Sequence, residues 1–215
     1  AMPDYDYEAD ARRFSTVLED LGEPDRPKLY MGELVNAFGE RGFGALMVFL
    51  GLINALPLPP GSTTVLGAPL LLLALQLTFQ SDQVWMPKWA LKGSMDRSTY
   101  RSAVARVLPT IRKFERLSRP RLLFMTSQVA QIAIGIASAA LATILILPIW
   151  GGNMVPAIVM ATFGFGLMQR DGYFIAAGWI GVVGFTVFVW LAWEVIWRVL
   201  KWTFDAWSHA LPGLS

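Results

Sequence analysis

The uncharged stretch Leu122–Leu147, which reads LLFMTSQVAQIAIGIASAALATILIL, decides the fold class of this chain. It is 26 residues long, and about 20 apolar residues suffice to cross the hydrocarbon core of a bilayer. No charge occurs over the 48 residues 122–169 or over the 40 residues 42–81. Only 16% of the residues are charged, against about 25% in soluble domains. The sequence therefore predicts an all-α integral membrane protein and excludes a water-soluble single domain.

The apolar segments differ in length. Two are predicted as full transmembrane helices, Leu122–Leu147 and Tyr173–Trp197. Three are shorter than a full span: Phe43–Leu56, Thr64–Phe79 and Met154–Met168. Proline lacks a backbone donor and clashes with the preceding turn, so Pro57-Leu58-Pro59-Pro60-Gly61 breaks the first uncharged region. Its two arms are either two short spans or a re-entrant hairpin that turns inside the membrane, and we favour the hairpin.

The same plan occurs twice along the chain. Leu56-Pro57 leads through Gly61 and Ser62 into an arm that ends at Gln80-Ser81-Asp82. Leu147-Pro148 leads through Gly152 and Asn153 into an arm that ends at Gln169-Arg170-Asp171. Many membrane transport folds arrange two such broken-helix units around a central site. We interpret the two stretches as two pseudo-repeated units.

Polar residues open the second arm of each unit, and they form the candidate ligand site. They are Ser62, Thr63, Thr64 and Asn153. Ser, Thr and Asn are good helix N-caps, and the positive ends of two neighbouring half-helices attract an anion. The alternative is that these residues only satisfy the backbone where each helix begins.

Arg170 and Asp171 complete the candidate site, because charges beside apolar arms are costly unless they are paired or hydrated. If the arm from Met154 crosses the membrane fully, both lie in a tight cytoplasmic turn and the C-terminus is periplasmic. If the arm is re-entrant, both lie in a cavity and the tail is cytoplasmic. The sequence leaves the two alternatives open.

Residues 1–41 form a polar N-terminal region with amphipathic helices, which we expect to be cytoplasmic. Residues 82–121 carry ten basic and three acidic residues, as cytoplasmic loops of membrane proteins do. Apolar residues recur there at helical spacing after Asp96, a candidate N-cap. The expected basic amphipathic helix would lie on an anionic membrane surface, or the loop would only set orientation. The predicted lipid-facing residues are Arg97, Arg101, Arg112 and Arg116.

These features divide the chain into an N-terminal region (1–41), a broken-helix hairpin (42–81), a basic loop (82–121), membrane helices (122–198) and an interfacial tail (199–215). Five tryptophans, at 190, 193, 197, 202 and 207, predict an interfacial belt before and within the tail. Gly178, Gly181 and Gly184 form a stripe suited to helix packing or to a homodimer.

Composition excludes several kinds of chemistry. The chain has no cysteine and a single histidine, His209, which excludes thiol catalysis and zinc–thiolate or histidine-ligated metal centres. We expect no cofactor and no metal. A net charge of +2 gives no indication of nucleic-acid binding.

Motifs along most of the chain resemble the ExoD family of bacterial inner-membrane proteins, which is named for exopolysaccharide synthesis. The matching groups are Gly32-Glu33-Leu34, Gly39-Glu40-Arg41, Leu56–Ser62, Leu66–Pro69, Gln76, Trp85-Met86-Pro87, Pro120-Arg121-Leu122, Gly152-Asn153 with Pro156, and Arg170-Asp171-Gly172. The family often has a second proline near position 150, where this chain has Trp150-Gly151. The resemblance implies a role in making or exporting surface polysaccharide at the cytoplasmic membrane, and it implies no reaction.

Three functions fit these observations. The first is a non-enzymatic membrane factor that binds membrane lipid, such as a polyprenyl-linked or other anionic lipid, between the half-helix N-termini. The second is a small anion or proton transporter, for which only Arg170, Asp171 and Glu194 offer ionisable groups near the apolar arms. A lipid-phosphate hydrolase is the least favoured, because such chemistry uses a metal with a carboxylate cluster or a histidine nucleophile.

Overall fold

The computed structural model describes residues 14–23, 25–38, 42–55, 62–81, 84–147 and 153–210, with the side chains of 62–66 and 204–210 outside that description. The helices are α1 (Phe14–Asp20), α2 (Met31–Phe38), α3 (Gly42–Ala55), α4 (Ser62–Thr78), α5 (Lys88–Leu91), α6 (Arg97–Leu117), α7 (Gln128–Ile146), α8 (Met154–Gln169) and α9 (Gly172–Ala210). Two short strands, β1 (Lys28–Tyr30) and β2 (Ser94–Asp96), and a 3₁₀ turn (Leu123–Thr126) complete the fold. The Pro57–Gly61 turn and the Pro148–Gly152 turn lie outside the described residues.

The centre of the protein is a bundle of four apolar helices, α3, α4, α7 and α8. The most extensive contacts join α3 to α8 and α4 to α7, while the sequential pairs α3–α4 and α7–α8 also touch. Each helix of one predicted unit therefore packs mainly against a helix of the other unit. Helix α9 packs along the outside of α8.

Glycines allow α3 and α8 to approach closely. A Cβ atom on Gly44 would lie 2.8 Å from the carbonyl oxygen of Gly164 and 3.0 Å from the amide nitrogen of Met168. A Cβ atom on Gly51 would lie 2.8 Å from the carbonyl oxygen of Ala157. Because later residues of α3 meet earlier residues of α8, the two helices are antiparallel.

The pair α4–α7 repeats this arrangement. A Cβ atom on Gly135 would lie 3.0 Å from the carbonyl oxygen of Ala74 and 2.7 Å from the amide nitrogen of Thr78. Near the opposite end, Gly67 faces Ile146 at 3.1 Å. This pair is also antiparallel, so α3 and α7 end where α4 and α8 begin. We call this end of the bundle the apex end.

Helices α4 and α8 terminate in the same way. Gln80 and Arg170 adopt left-handed backbone angles, with φ of 54° and 52°. The next amide donates back across the turn in both cases, from Ser81 to the Gln76 carbonyl and from Asp171 to the Gly166 carbonyl, each at 3.0 Å. This is the Schellman pattern, which closes a helix end.

The N-terminal region and the basic loop form one body, which we call the cap and define as residues 14–38 and 84–118. Strands β1 and β2 pair antiparallel, and α1 packs on α6. The predicted all-α fold therefore includes a small sheet. Lys28–Tyr30 pair with Ser94–Asp96, so the N-terminal region contains a strand as well as the expected helices, and α2 begins directly after it at Met31. Asp96 gives no side-chain cap to α6.

Two of the described helices are long and apolar enough to cross a membrane, over Gln128–Ile146 and Gly172–Thr203. The helix predicted over Leu122–Leu147 covers only Gln128–Ile146 in the structure. Leu122 has left-handed backbone angles, and a 3₁₀ turn separates it from the N-cap residue Ser127. Three other apolar helical segments have 10–17 residues: Gly42–Ala55, Gly67–Thr78 and Met154–Gln169.

Helix α9 has 39 residues and extends beyond the bundle. Gly178 packs against the Phe163 ring and Gly181 against Val159, whereas nothing lies within 4 Å of a Cβ placed on Gly184. Two of the three striped glycines thus serve packing within the chain. Trp190, Trp193, Trp197 and Trp202 are all exposed, and the Trp207 side chain lies outside the described part.

Candidate functional site

The apex end brings together the beginnings of the two half-helices that the sequence singled out. Ser62 is the first residue of α4, and Asn153 directly precedes α8. The side chains of Ser62, Thr63 and Thr64 lie outside the described residues. The first amides of any α-helix have no acceptor within the helix and carry its positive dipole end. Two such ends therefore occur at one end of an otherwise apolar bundle.

Asn153 is buried, with 8% of its surface exposed. Its carbonyl oxygen accepts the first helical bond, from the Ala157 amide at 3.2 Å. Its backbone is right-handed helical, and its side chain does not accept a cap bond from the first turn. The predicted N-cap role of this side chain is therefore wrong.

Asn54, in the last turn of α3, is a polar residue that the sequence reasoning missed. It is 2% exposed, and its side-chain nitrogen donates to the Leu50 carbonyl at 2.8 Å. Its side-chain oxygen has no hydrogen-bond partner in the described part of the chain. The sequence signal for Asn54 is that it is a lone amide within an uncharged helix. A polar group in a membrane helix is energetically costly, and one that is retained there is therefore often functional.

Ser138 presents a similar case in the middle of α7. Its hydroxyl is fully buried and has no partner among the described residues. Unsatisfied buried polar atoms are uncommon in folded proteins and call for an explanation such as a bound water. The interior of the bundle thus contains polar groups that the apolar sequence pattern conceals.

Asp171 lies at the opposite end of the bundle from Asn54. It is 3% exposed, and one carboxylate oxygen accepts from the Arg119 amide at 3.1 Å and from the Ser118 hydroxyl at 3.3 Å. The other oxygen accepts from the Tyr173 amide at 3.0 Å in the first turn of α9. The carboxylate therefore fastens the segment before α7 to the start of α9.

The neighbours of Asp171 tighten this junction. The Gly172 amide donates to the Arg121 carbonyl at 2.9 Å, and a Cβ atom on Gly172 would lie 2.5 Å from the Cβ of Leu122. Arg121 lies over the Tyr173 ring at 5.6 Å. Arg170 is exposed in the turn. The structure thus places Arg170 and Asp171 far from Asn153, and their ligand-binding role stays a prediction.

Arg97 was expected to face lipid, but it is only 2% exposed. Its guanidinium donates to the carbonyls of Arg26 at 3.0 Å and Lys28 at 3.1 Å, to the Leu21 carbonyl, and to the Glu33 carboxylate at 3.1 Å. Lipid cannot reach it, so the prediction of a membrane-surface role for Arg97 is wrong. Its actual role is to hold the N-terminal half of the cap on α6.

Glu33 is the acidic partner of Arg97. Burial raises the pKa of this carboxyl, but the hydrogen bonds from Arg97 and from the Tyr30 amide outweigh that effect, and the pKa lies below its usual value of 4.5. In the same core, Tyr100 donates to the Leu18 carbonyl at 2.8 Å, and burial raises its pKa above the usual range. The cap is therefore a packed unit with internal polar bonds.

The other three predicted lipid-facing arginines remain at the surface of α6. Arg101 donates to the Gly22 carbonyl at 2.6 Å, and Arg112 holds the Glu19 carboxylate at 2.7 and 2.6 Å. Arg116 lies beside Arg112 and Ser15 at the rim of a shallow groove. Tyr100, Val104 and Ile111 on the apolar face of α6 are buried, whereas Leu117 near its end is 64% exposed. The membrane-surface role of Arg101, Arg112 and Arg116 stays a prediction.

Comparison with known proteins gives consistent matches. The family model described as "Exopolysaccharide synthesis, ExoD" matches residues 14–191. Protein ExoD of Rhizobium meliloti (strain 1021) is 32% identical over 168 residues, which cover 73% of this chain and 67% of that protein. The uncharacterized protein slr1875 of Synechocystis sp. is 32% identical over 173 residues, covering 78% of this chain and 81% of that protein. No solved structure matches the chain.

Proposed function

The chain belongs to the ExoD family, and we propose that it is a non-enzymatic protein of the bacterial inner membrane that binds an anionic lipid at its apex end. Family membership links it to exopolysaccharide synthesis. The bound lipid would be polyprenyl-linked or another lipid with an anionic headgroup. The observation that carries the proposal is the antiparallel pairing of α3 with α8 and of α4 with α7, which brings two half-helix N-termini to one end of the bundle.

The length of α9 supports an apex end within the bilayer. Residues 172–193 contain no charge, and at 1.5 Å per residue they extend about 33 Å, close to the hydrocarbon thickness of about 30 Å. Gly178 lies opposite Phe163 and Gly181 opposite Val159, so Met154 lies level with about residue 187 of α9. Glu194 lies about 10 Å further along the helix axis. Both hairpins would thus turn inside the membrane.

The cap end carries the basic segment 82–121, and the positive-inside tendency assigns it to the cytoplasm. Asp171 is fastened to Ser118 and Arg119, so α8 returns to the end of the bundle where α7 begins. In this arrangement both hairpins enter from the cytoplasmic side, so α7 does not cross the bilayer although it is long enough to do so, and α9 leads out on the other side. Its exposed tryptophans then lie at the far interface, where such rings are enriched.

The bundle helices supply the polar groups that an anionic headgroup needs. Helices α3, α4, α7 and α8 contain no ionisable residue, so backbone amides, asparagine amides and hydroxyls are the groups available. Amides at helix N-termini bind phosphate groups without a basic side chain. An acyl or polyprenyl chain would remain among the surrounding lipids while its headgroup entered between the hairpins.

Native mass spectrometry of the detergent-purified protein, with lipid extraction alongside, tests this proposal. We expect one tightly held anionic lipid per chain, and we expect Asn153→Leu to lose it. Thr143→Leu is the matched control, because Thr143 is an exposed residue of α7 whose hydroxyl bonds, among the described residues, to the Ala139 carbonyl of its own helix. Bulk phospholipid without a defined stoichiometry, in the wild type and in both variants, would contradict the proposal.

The transporter alternative makes a different prediction in liposomes. A proton or anion pathway would give a flux that disappears in Asp171→Asn without loss of the folded protein. The binding proposal expects no flux from the wild type. Asp171 already accepts bonds from Ser118, Arg119 and Tyr173, so this substitution should act on the stability of the junction.

A further inference from the structure

The side-chain oxygen of Asn54 is a buried hydrogen-bond acceptor without a donor in the described part of the chain. Its nitrogen donates to the Leu50 carbonyl at 2.8 Å, while its oxygen has no partner among the described residues. Exchanging the two atoms would turn the side-chain oxygen toward the Leu50 carbonyl and set two acceptors against each other. The orientation is therefore fixed, and the unpaired oxygen lies in an apolar bundle where an unmet acceptor is costly.

This oxygen lies level with the beginning of α8. A Cβ atom on Gly51 would lie 2.8 Å from the Ala157 carbonyl oxygen and 2.9 Å from the Ala161 amide nitrogen of α8. Asn54 is three residues further along the antiparallel helix α3, which brings it to the first turn of α8. The amides of Met154 and Val155 in that turn have no acceptor within the helix. One buried acceptor and two backbone donors therefore share one level of the bundle.

We infer that Asn54 makes the apex site selective for a phosphate monoester. The charged phosphate oxygens would accept bonds from the first-turn amides of α8, and the P–O–H group that a monoester keeps in its singly charged form would donate to the Asn54 oxygen. A phosphodiester has the charged oxygens but no such donor, so it would leave Asn54 unpaired. This inference rests on the proposed function, because it names the headgroup of the lipid bound at the same end of the bundle.

The test compares two probes that differ by one methyl group. At about pH 5, one unit below the second pKa of a phosphate monoester at about 6, about nine-tenths of the dodecyl phosphate carries a single charge, as dodecyl methyl phosphate does. Each is titrated into the detergent-solubilised full chain and measured by native mass spectrometry. We expect wild-type protein to bind dodecyl phosphate about tenfold more tightly, as one hydrogen bond to a buried acceptor provides.

Asn54→Leu should abolish this preference, so that the two probes bind with equal affinity to each other, with Thr143→Leu as the control that retains the preference. Leucine has the branched shape of asparagine, but it removes the bond to the Leu50 carbonyl together with the unpaired oxygen, so the melting temperature of the variant is measured to confirm that it is folded. The wild-type ratio tests the inference even if the variant fails to fold.

The outcomes separate the two proposals. Equal wild-type affinities for the two probes would overturn the role of Asn54 and leave the lipid-binding function standing. A preference that persists in folded Asn54→Leu would also overturn the role of Asn54. Binding of neither probe, together with no co-purified anionic lipid, would overturn the proposed function and this inference with it.

Discussion

Gly44 and Gly164 face each other so closely that a Cβ atom on either one would lie 2.8 or 2.7 Å from the carbonyl oxygen of the other. The contact joins the first helix of one predicted unit to the second helix of the other. Gly135 makes the corresponding contact with α4, through Ala74 and Thr78. Each of the two contacts thus joins helices of different predicted units, and the repeat itself stays a prediction.

Replacing Gly44 with leucine should disrupt this contact. Its first side-chain atom would meet the Gly164 carbonyl and the Met168 amide, neither of which can move without displacing α8. We expect the free energy of unfolding to fall by about 1–3 kcal/mol, which is measured as a lower melting temperature in detergent. Gly184→Leu is the control, since nothing lies within 4 Å of its Cβ position. Similar melting temperatures for the two variants would refute the close packing.

Arg97→Met should loosen the cap. The substitution removes the donors for three backbone carbonyls and leaves Glu33 without its buried partner. A buried acceptor that loses its hydrogen-bond donor costs about 1–3 kcal/mol. We expect faster proteolysis within residues 14–38 of the variant than of the wild type. Mass spectrometry of the fragments measures the cleavage rate and the cleavage sites. Arg106→Met, an exposed arginine on the same helix, should cleave at the wild-type rate.

The pair Glu33–Arg97 also makes the cap sensitive to acid. The folded-state pKa of Glu33 is lowered from 4.5, so its stabilising contribution is complete above that value and is lost as the pH falls through the lower, folded-state pKa. Proteolysis of the wild-type cap by an acid-active protease should therefore accelerate in this acidic range. Glu33→Gln should remove that part of the pH dependence, and an unchanged profile would count against the ion pair.

Asp171 and Arg170 should respond in opposite directions to substitution. Asp171→Leu leaves the Arg119 and Tyr173 amides without their acceptor, and each buried donor that loses its partner costs about 1–3 kcal/mol. Arg170→Gly relieves a left-handed residue with φ of 52°, a strain of about 1–2 kcal/mol. The greater freedom of glycine in the unfolded chain offsets about 0.5–1 kcal/mol of that, so we expect a net stabilisation of up to about 1 kcal/mol. Melting temperatures in detergent measure both. A stable Asp171→Leu variant would mean that this junction does not hold α9 in place.

The sequence predicted the helices well because they depend on local patterns. Uncharged length indicated α3, α7, α8 and the membrane portion of α9, and the prolines indicated the breaks between arms. It failed where partners are distant in the chain. The local pattern does not distinguish Arg97 from the surface arginines of α6, since its acceptors at Leu21, Arg26 and Lys28 lie about 70 residues away in the chain.

The candidate site was predicted only in part for the same reason. The position of Asn153 after a glycine pair indicated the start of a helix, and in the structure Asn153 directly precedes α8 at the apex end. Asn54 was not identified, because its significance depends on the register between α3 and α8. Arg170 and Asp171 lie at the other end of the bundle, since the second arm runs the full way back to the start of α7.

The proposals for the apex end all require that it lies inside the bilayer, and single-cysteine labelling measures this directly. The chain has no cysteine, so Met154→Cys, Arg116→Cys and Trp202→Cys can each be labelled alone with a membrane-impermeant maleimide. We expect Arg116→Cys to react only in inside-out vesicles, Trp202→Cys only in spheroplasts, and Met154→Cys in neither until detergent is added. Reaction of Met154→Cys in spheroplasts at the rate of Trp202→Cys would contradict a membrane-embedded apex.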